Sequence, residues 1–315
     1  MFALCIESSH QKGMGHLYRA LNFVDCLNSK NEPSIVFINN NETAYEVLKS
    51  RDIRFETVDL MDCESDWEAG LISRYGIDVW VNDRLDTDAR RASNIKKYGV
   101  KLITFDDRGS GAELADIHVA AMAFAREGKP KGRKILSGLD YLILNKDIAK
   151  YKRVRKKVQN IIVSLGGSDT YGVTLKVVAI LKILNKKATV HIGPSFMHRK
   201  ELEAMINTDF HIISSVPSLI EEFYRYDLAV TGGGMTPFEA NAAGLPCIII
   251  ANELFEIPNA KLLSEIGSSV FSGYHEEINS DFFRMELYIE KMSLAGMEAI
   301  KLNGAENVYR QIREL

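Results

Sequence analysis

A run of three glycines, Gly232 to Gly234, constrains this sequence most, because it lies between a buried-strand pattern and a helix pattern. The apolar residues 228–230 precede it, and the segment MTPFEANAA follows it and ends at Gly244-Leu245-Pro246. A strand that ends in glycines and leads into a helix directs backbone N–H groups and the positive helix end to one point. Phosphates bind at such points. The sequence therefore predicts a strand, a phosphate-binding turn, a helix and a further strand.

Glu239 lies within the first two turns of this predicted helix, where the helix dipole favours a carboxylate. A carboxylate suits a ribose, because a vicinal diol presents two donors to two oxygens. A tight turn with a solvated glutamate is the alternative for an isolated glycine run. Two further glycine turns, Gly166-Gly167-Ser168 and residues 13–16, favour a nucleotide ligand instead. The predicted nucleotide-binding residues are Gly166, Gly167, Ser168, Gly232, Gly233, Gly234, Met235, Thr236 and Glu239.

The chain has 315 residues, of which 46% are hydrophobic, and this is enough for two cores. Short apolar runs alternate with helical patterns, which predicts an α/β fold with two Rossmann-like domains, residues 1–150 and 151–315, facing across a cleft. The helical pattern of residues 281–315 can cross back to the first domain. The predicted strands are 2–6, 34–38, 55–58, 78–82, 101–105, 117–120, the strand that begins near 159, 189–192, 211–213, 227–231, 247–251 and 269–271.

Charge and composition exclude several classes of protein. The formal net charge is −3 and the charges are mixed, so we expect no nucleic-acid partner. We interpret the basic run Lys150 to Lys157 as a solvated interdomain linker, and residues 127–134 (EGKPKGRK) as an exposed loop. No signal peptide or membrane-length apolar stretch is present, which predicts a cytoplasmic protein without membrane insertion. The four scattered cysteines indicate neither a disulfide framework nor a zinc site. We expect a monomer.

His16 is the predicted catalytic residue of the first domain. It follows Gly15 at the start of the first predicted helix, titrates near neutrality and can act as a general base on water or a hydroxyl. Arg19, one turn later, can bind a phosphate or sugar, or form an ion pair with Asp83 or Asp106. Because residues just past strand ends lie at the edge of the cleft, Asp83 and Asp106 can orient His16 or bind a sugar hydroxyl. Paired carboxylates at 106 and 107 are weak evidence for a metal, and we predict no metal and no cofactor.

Five segments together resemble a known family: GMGHLYRA, SLGGSD, GGGMTPFEANAAGLP, GLDYLIL at 138–144 and NGAENV at 303–308. They are similar to the two-domain GT-B superfamily, and within it to the UDP-sugar hydrolases of pseudaminic acid biosynthesis and the related spore-coat polysaccharide proteins. The resemblance implies hydrolysis of a UDP-linked diacetamido-trideoxyhexose by water at the anomeric carbon, with release of UDP. It assigns His16 as general base, Glu239 as ribose ligand and the two glycine turns as diphosphate ligands. The candidate substrate-binding residues are Gly15, Arg19, Asp83, Asp106, Tyr141 and Asn259.

The chain departs from the family pattern in two places. Asn145 stands near the position where the family usually shows an arginine, and residues 253–259 (ELFEIPN) lack the glutamine-containing pattern common beside the sugar. Glu256 and Asn259 stand there instead. The exact sugar and the nucleotide therefore stay open. A GT-B glycosyltransferase that uses the same donor site is the alternative enzyme, and a non-catalytic nucleotide-sugar binding protein is the alternative of another class.

Overall fold

The computed structural model describes residues 1–8, 15–62, 64–122, 130–193, 195–214 and 218–315. These residues divide into two compact units. The first unit comprises those within 1–122, 130–145 and 303–315, and the second comprises those within 146–302. Each unit is a parallel sheet covered by helices.

The first unit is built on a seven-stranded sheet in the order β3-β2-β1-β4-β5-β6-β7. Neighbouring strands pair in parallel throughout the described residues. The strands are β1 (Phe2–Ile6), β2 (Ser34–Ile38), β3 (Phe55–Thr57), β4 (Val79–Asp83), β5 (Lys101–Phe105), β6 (Ile117–Ala120) and β7 (Lys134–Ser137). The helices between them are α1 (Gly15–Ser29), α2 (Glu42–Ser50), α3 (Trp67–Tyr75) and α4 (Ala89–Lys97).

The second unit is built on a six-stranded parallel sheet in the order β10-β9-β8-β11-β12-β13. The strands are β8 (Ile161–Ser164), β9 (Ala188–Ile192), β10 (Phe210–Ser214), β11 (Leu228–Thr231), β12 (Cys247–Ala251) and β13 (Ser269–Tyr274). The helices are α5 (Val173–Ile183), α6 (Arg199–Met205), α7 (Leu219–Glu222), α8 (Thr236–Ala242), α9 (Ile257–Ile266) and α10 (Ile289–Ala299).

The central strands are apolar on both faces, which explains why both sheets are parallel and covered on two sides. In β1 and β12 every residue is buried, including those that point to opposite faces of the sheet. A strand with one wet face would alternate apolar and polar residues, whereas these read as continuous apolar runs. The carboxyl ends of the strands in each sheet lie at one edge, and this edge carries the candidate site residues.

The last helix of the chain, α11 (Gly304–Arg313), packs within the first unit. The Asn307 amide donates to the Asp140 carbonyl at 2.7 Å, and Arg313 pairs with Glu32. Gly304 is required there, because a Cβ atom would lie 2.0 Å from the Leu142 carbonyl oxygen. Within residues 281–315, which are helical in pattern, a 3-10 turn, α10 and α11 are separate elements.

One strand was missed by the sequence analysis. Residues 127–134 were predicted as an exposed loop, but Lys134 begins β7, which pairs in parallel with β6. Residues 127–129 of this prediction lie outside the described part of the chain. The strand has four residues, of which Leu136 is buried and Ile135 and Ser137 are exposed. An edge strand this short gives a weak apolar pattern, because glycine, proline and lysine lie beside it in the sequence.

The basic run Lys150 to Lys157 is not a solvated linker throughout, because Arg155 is 0% exposed. Its guanidinium donates hydrogen bonds to four backbone carbonyls, those of Arg153, Phe223, Tyr226 and Ala243. Its own N–H donates to Ser293 Oγ at 3.0 Å. Arg155 therefore joins the ends of α7 and α8 to α10 and is part of the core of the second unit.

Replacing Arg155 with methionine removes the charged donor from the carbonyls of Arg153, Phe223 and Ala243, while the Tyr226 carbonyl keeps its bond from Arg153. We expect Arg155→Met to lower the free energy of unfolding by about 3–5 kcal/mol, the scale for removing one member of a buried polar network. The measurement is urea unfolding followed by circular dichroism. Lys157→Ala is the matched control, because Lys157 is exposed two residues away. Equal urea midpoints for the two variants would contradict the assigned role.

Candidate functional site

Four side chains of the first unit meet at the carboxyl edge of its sheet. Asp83 ends β4, Asp106 follows β5, and His16 and Arg19 lie in the first two turns of α1. His16 Nδ1 is 2.6 Å from Asp83 Oδ1, and Arg19 Nε donates to Asp83 Oδ2 at 2.7 Å. Arg19 also pairs with Asp106 and lies over the Phe105 ring, 5.1 Å from its centroid. Spacing of three residues on α1 puts His16 and Arg19 on one helix face, above neighbouring strand ends.

The contact with Asp83 fixes which nitrogen of His16 can react. A carboxylate accepts the Nδ1 proton, so the neutral imidazole keeps its lone pair on Nε2. No described residue forms a hydrogen bond with Nε2. The His16 side chain is half-buried, with 13% of its surface exposed. The arrangement is that of a general base with an orienting carboxylate.

Opposite charges maintain Asp83 as a carboxylate despite its burial. Burial alone would raise its pKa, but the Arg19 guanidinium and His16 outweigh this effect and lower the pKa to about 2. Burial tends to lower the pKa of Arg19. The negative charges of Asp83 and Asp106 have the larger effect and raise this pKa above its ordinary value. Arg19 is 8% exposed and its donors are directed at these two carboxylates. It therefore forms the ion pair that the sequence analysis gave as the alternative to substrate binding.

The other candidates of the first unit are separate from this network. Asp107 accepts the Thr87 and Gly109 N–H groups at 2.9 and 2.8 Å and so shapes a loop. Gly15 begins α1, and Tyr141 ends a 3-10 helix and is half-buried. No hydrogen bond joins Tyr141 to the network among the described residues. Gly13 and the residue after it lie outside the described part of the chain.

In the second unit, the turn of Gly166, Gly167 and Ser168 is open. Both glycines are exposed, and a Cβ atom added to either would meet nothing within 4 Å. Gly166 has a φ of +99°, a conformation that favours glycine. Asp169 turns inward and accepts the N–H groups of Val173 and Thr174, both at 2.8 Å. This aspartate holds the start of α5, while the two glycine amides before it stay accessible to a ligand.

The turn of Gly232, Gly233 and Gly234 already holds a carboxylate of the chain itself. Glu256 Oε2 accepts the Gly233 N–H at 3.1 Å and the Asn252 N–H at 2.8 Å. Gly233 must be glycine, because a Cβ atom would lie 2.7 Å from Glu256 Cβ. Sequence analysis assigned all three amides to a diphosphate, so Glu256 is the residue whose role it missed. The only local sign of this role was an acidic residue at the place where the sequence departs from the family pattern. Its partner, Gly233, lies 23 residues earlier in the chain, so the contact is not a local feature of the sequence.

Asn259 lies behind this turn. It is 0% exposed, and its Nδ2 donates to the Gly233 carbonyl at 3.3 Å. In this structure the side chain supports the glycine turn. Asn252, to which the sequence assigned no role, donates to the Leu165 carbonyl at 3.1 Å. This bond connects the ends of β12 and β8.

Glu239, on α8 after the glycine turn, is half-buried. Burial raises its pKa to about 7, and no described cation offsets this effect. No described residue donates a hydrogen bond to its carboxylate. Met235 and Thr236 are half-buried at the start of the same helix. A half-buried carboxylate without a donor is suited to the hydroxyl groups of a ligand.

No group of three or more histidine, cysteine, aspartate or glutamate side chains in the described part of the chain could hold a metal ion. No helix there is long and apolar enough to cross a membrane. Three cysteines are buried free thiols: Cys5, Cys26 and Cys247. The fourth cysteine, at position 63, lies outside the described residues.

Two parallel α/β units, of seven and six strands, define the GT-B fold of nucleotide-sugar enzymes, and solved structures of that fold match the chain. MurG of Acinetobacter baumannii superposes with a TM-score of 0.70 at 13% identity, covering 100% of this chain and 99% of MurG. A glycosyltransferase from Rickettsia africae gives a TM-score of 0.68 at 14% identity, covering 99% and 97%. The predicted fold class is confirmed.

Sequence comparison adds two relatives. An uncharacterized protein of Methanocaldococcus jannaschii is 27% identical over 95% of this chain. The chain spans 65% of the length of that relative. The spore coat polysaccharide biosynthesis protein SpsG of Bacillus subtilis is 22% identical over 86% of this chain and 83% of SpsG. No protein-family model matches the chain.

The ionised Asp83 should stabilise the first unit in a defined pH window. Its folded-state pKa of about 2 lies below the ordinary 3.8, so its stabilising contribution is present above about pH 4 and is lost as the pH falls towards 2. We expect the difference in unfolding free energy between wild type and Asp83→Asn to shrink by roughly 2 kcal/mol across that window. Thermal unfolding at a series of pH values measures it. The exposed Asp140→Asn is the control and should show no such change.

Proposed function

We propose that this chain hydrolyses a nucleotide sugar, and that its substrate is a UDP-linked diacetamido-trideoxyhexose of the type used in nonulosonic acid biosynthesis. The observation that carries the proposal is the pair of His16 and Asp83, with Nδ1 bound to the carboxylate and Nε2 left open. The relative from Bacillus subtilis, named for spore coat polysaccharide biosynthesis, agrees with a sugar-handling role.

In this mechanism His16 Nε2 accepts a proton from water while the water oxygen attacks the anomeric carbon. The bond between that carbon and the diphosphate oxygen breaks, and its electron pair leaves with UDP. The water proton passes to the imidazole, and the negative Asp83 stabilises the imidazolium that forms. Arg19 keeps Asp83 ionised and in place, so it acts as a positioning residue. UDP is a good leaving group, and the enzyme therefore has mainly to position and deprotonate the water.

The second unit supplies the proposed nucleotide site. The exposed amides of Gly166 and Gly167 and the hydroxyl of Ser168 suit a diphosphate. The carboxylate of Glu239 suits the ribose diol, because it is half-buried and no described residue donates to it. Diphosphate binding by the Gly232–Gly234 turn stays part of the proposal, with one amide already bound to Glu256.

A glycosyltransferase is the second candidate. The same histidine base can deprotonate an acceptor hydroxyl instead of water, and the glycosyltransferase of Rickettsia africae shares the fold. The polar surroundings of His16, with Arg19 and Asp83 beside it, suit water or a small polar acceptor.

Turnover of a substrate panel tests the reaction type. We expect the protein to convert one member of a panel of UDP-, GDP- and CMP-linked sugars to free sugar and nucleotide. In ¹⁸O-labelled water the label should appear on C1 of the sugar and not on the nucleotide, as read by mass spectrometry. Label on the diphosphate of the released nucleotide would contradict attack at the anomeric carbon. Turnover that requires an added sugar acceptor would favour the transferase.

Replacing His16 separates chemistry from binding. His16→Ala should lower turnover by about a hundredfold or more while leaving the dissociation constant for UDP nearly unchanged, because a general base acts in the transition state. Asp83→Asn should also lower turnover, since it removes the group that holds the Nδ1 proton. His211→Ala is the control, because His211 is exposed on β10. Unchanged turnover in His16→Ala would favour a non-catalytic binding protein.

Replacing Glu239 should have the reverse effect. Glu239→Ala removes the acceptor proposed for the ribose diol, so we expect UDP affinity to fall about tenfold, with a smaller effect on turnover at saturating substrate. Isothermal titration with UDP and with 2′,3′-dideoxy-UDP measures it. The variant should bind both ligands alike, whereas the wild type should prefer UDP. Wild-type affinity in the variant would exclude the ribose assignment.

A further inference from the structure

The carboxylate of Glu256 occupies part of the site that the glycine turn offers to an anion. Oε2 accepts two backbone N–H groups, from Asn252 at 2.8 Å and from Gly233 at 3.1 Å. The Glu253 backbone is a further hydrogen-bond donor to this carboxylate. Oε1 lies 3.6 Å from where a Cβ atom of Gly234 would be, next to the turn that is proposed to bind a diphosphate.

An ionised Glu256 would repel a diphosphate in that turn, because both groups are negative and the site is largely desolvated. Among the described residues, no cation contributes to the electrostatics of Glu256. The turn after β11 presents only backbone groups, the end of β12 presents Asn252, and α9 presents the uncharged Asn259. The charged group that faces Glu256 is Glu253, another carboxylate.

A protonated Glu256 removes the repulsion and adds a donor. Oε2 can keep both backbone hydrogen bonds as a carbonyl oxygen, while Oε1–H donates to a phosphate oxygen. Burial already raises the pKa of Glu256, and the charge of Glu253 raises it further, while the backbone hydrogen bonds lower it. A nearby diphosphate would favour the protonated acid still more.

We propose that nucleoside diphosphate binding in the Gly232–Gly234 turn is coupled to the uptake of one proton by Glu256. This inference rests on the proposed nucleotide-binding function. In this proposal the protonated Glu256 selects for a diphosphate. When no ligand is bound, its carboxylate fills the turn.

Glu239 should respond with the opposite sign. As an acceptor from ribose hydroxyls it must be ionised in the complex, and its pKa of about 7 in the free protein means that binding releases a fraction of a proton near neutral pH. The two glutamates can therefore be told apart by the direction of proton transfer.

Isothermal titration with UDP at about pH 7.5, in buffers of different ionisation enthalpy, measures the number of protons bound. We expect the wild type to take up more protons than Glu256→Gln, by close to one proton. Glutamine preserves a carbonyl acceptor for the two N–H groups and a donor for the phosphate, so the variant should fold and bind UDP at least as tightly as wild type at this pH. Taking the difference cancels the titration of UDP and of Glu239.

Two further variants complete the design. Glu239→Gln should shift the proton count towards greater uptake, whereas Glu265→Gln, an exposed change on α9, should leave the count at the wild-type value. The UDP affinity of the wild type should rise as the pH falls, by up to about tenfold per pH unit, relative to that of Glu256→Gln.

Equal proton counts and equal pH dependence in wild type and Glu256→Gln would overturn the inference while leaving nucleotide binding intact. Failure of UDP, GDP and TDP alike to bind the wild-type protein would instead refute the proposed function, and this inference with it.

Discussion

The hydrogen bond between His16 and Asp83 is the interaction on which the proposed chemistry depends. Asp83 is almost fully buried, and a carboxylate there is tolerated because Arg19 and His16 compensate its charge. Without Arg19, burial would favour the neutral acid, which could donate a proton to His16 instead of accepting one. The carboxylate that orients His16 thus depends on an arginine with little exposed surface. The second carboxylate on that arginine, Asp106, belongs to the same charge balance.

How much the sequence predicts follows from the range of each interaction. Strands such as β1 and β12 were predicted to the residue, because continuous apolar runs are local patterns. The edge strand β7 was missed because a four-residue strand with one buried residue carries little pattern. Arg155 looked like part of a solvated run, because its partners Phe223 and Ala243 lie 68 and 88 residues away. Burial of a charged side chain is a tertiary property that local composition does not encode.

The candidate site shows the same division. His16, Asp83 and Asp106 could be placed together from sequence, because parallel strands end at one edge and α1 begins there. The two glycine turns could be found for the same reason. The difference between the two turns could not be predicted from sequence. Gly166 and Gly167 have open space around them, whereas the Gly233 N–H is bound to Glu256. A glycine pattern indicates where backbone amides can be exposed, but a distant carboxylate decides whether they are available.

The choice between hydrolase and transferase rests on the surroundings of the base. Both reactions need the diphosphate to leave with its negative charge stabilised, and both need a base at the sugar. The nucleotide-binding residues are therefore expected to be alike in the two classes, and fold similarity alone cannot separate them. On its Nδ1 side His16 contacts Asp83 and Arg19, so the base lies beside charged groups. Such surroundings suit a water molecule better than an apolar acceptor, which is the argument for hydrolysis in our proposal.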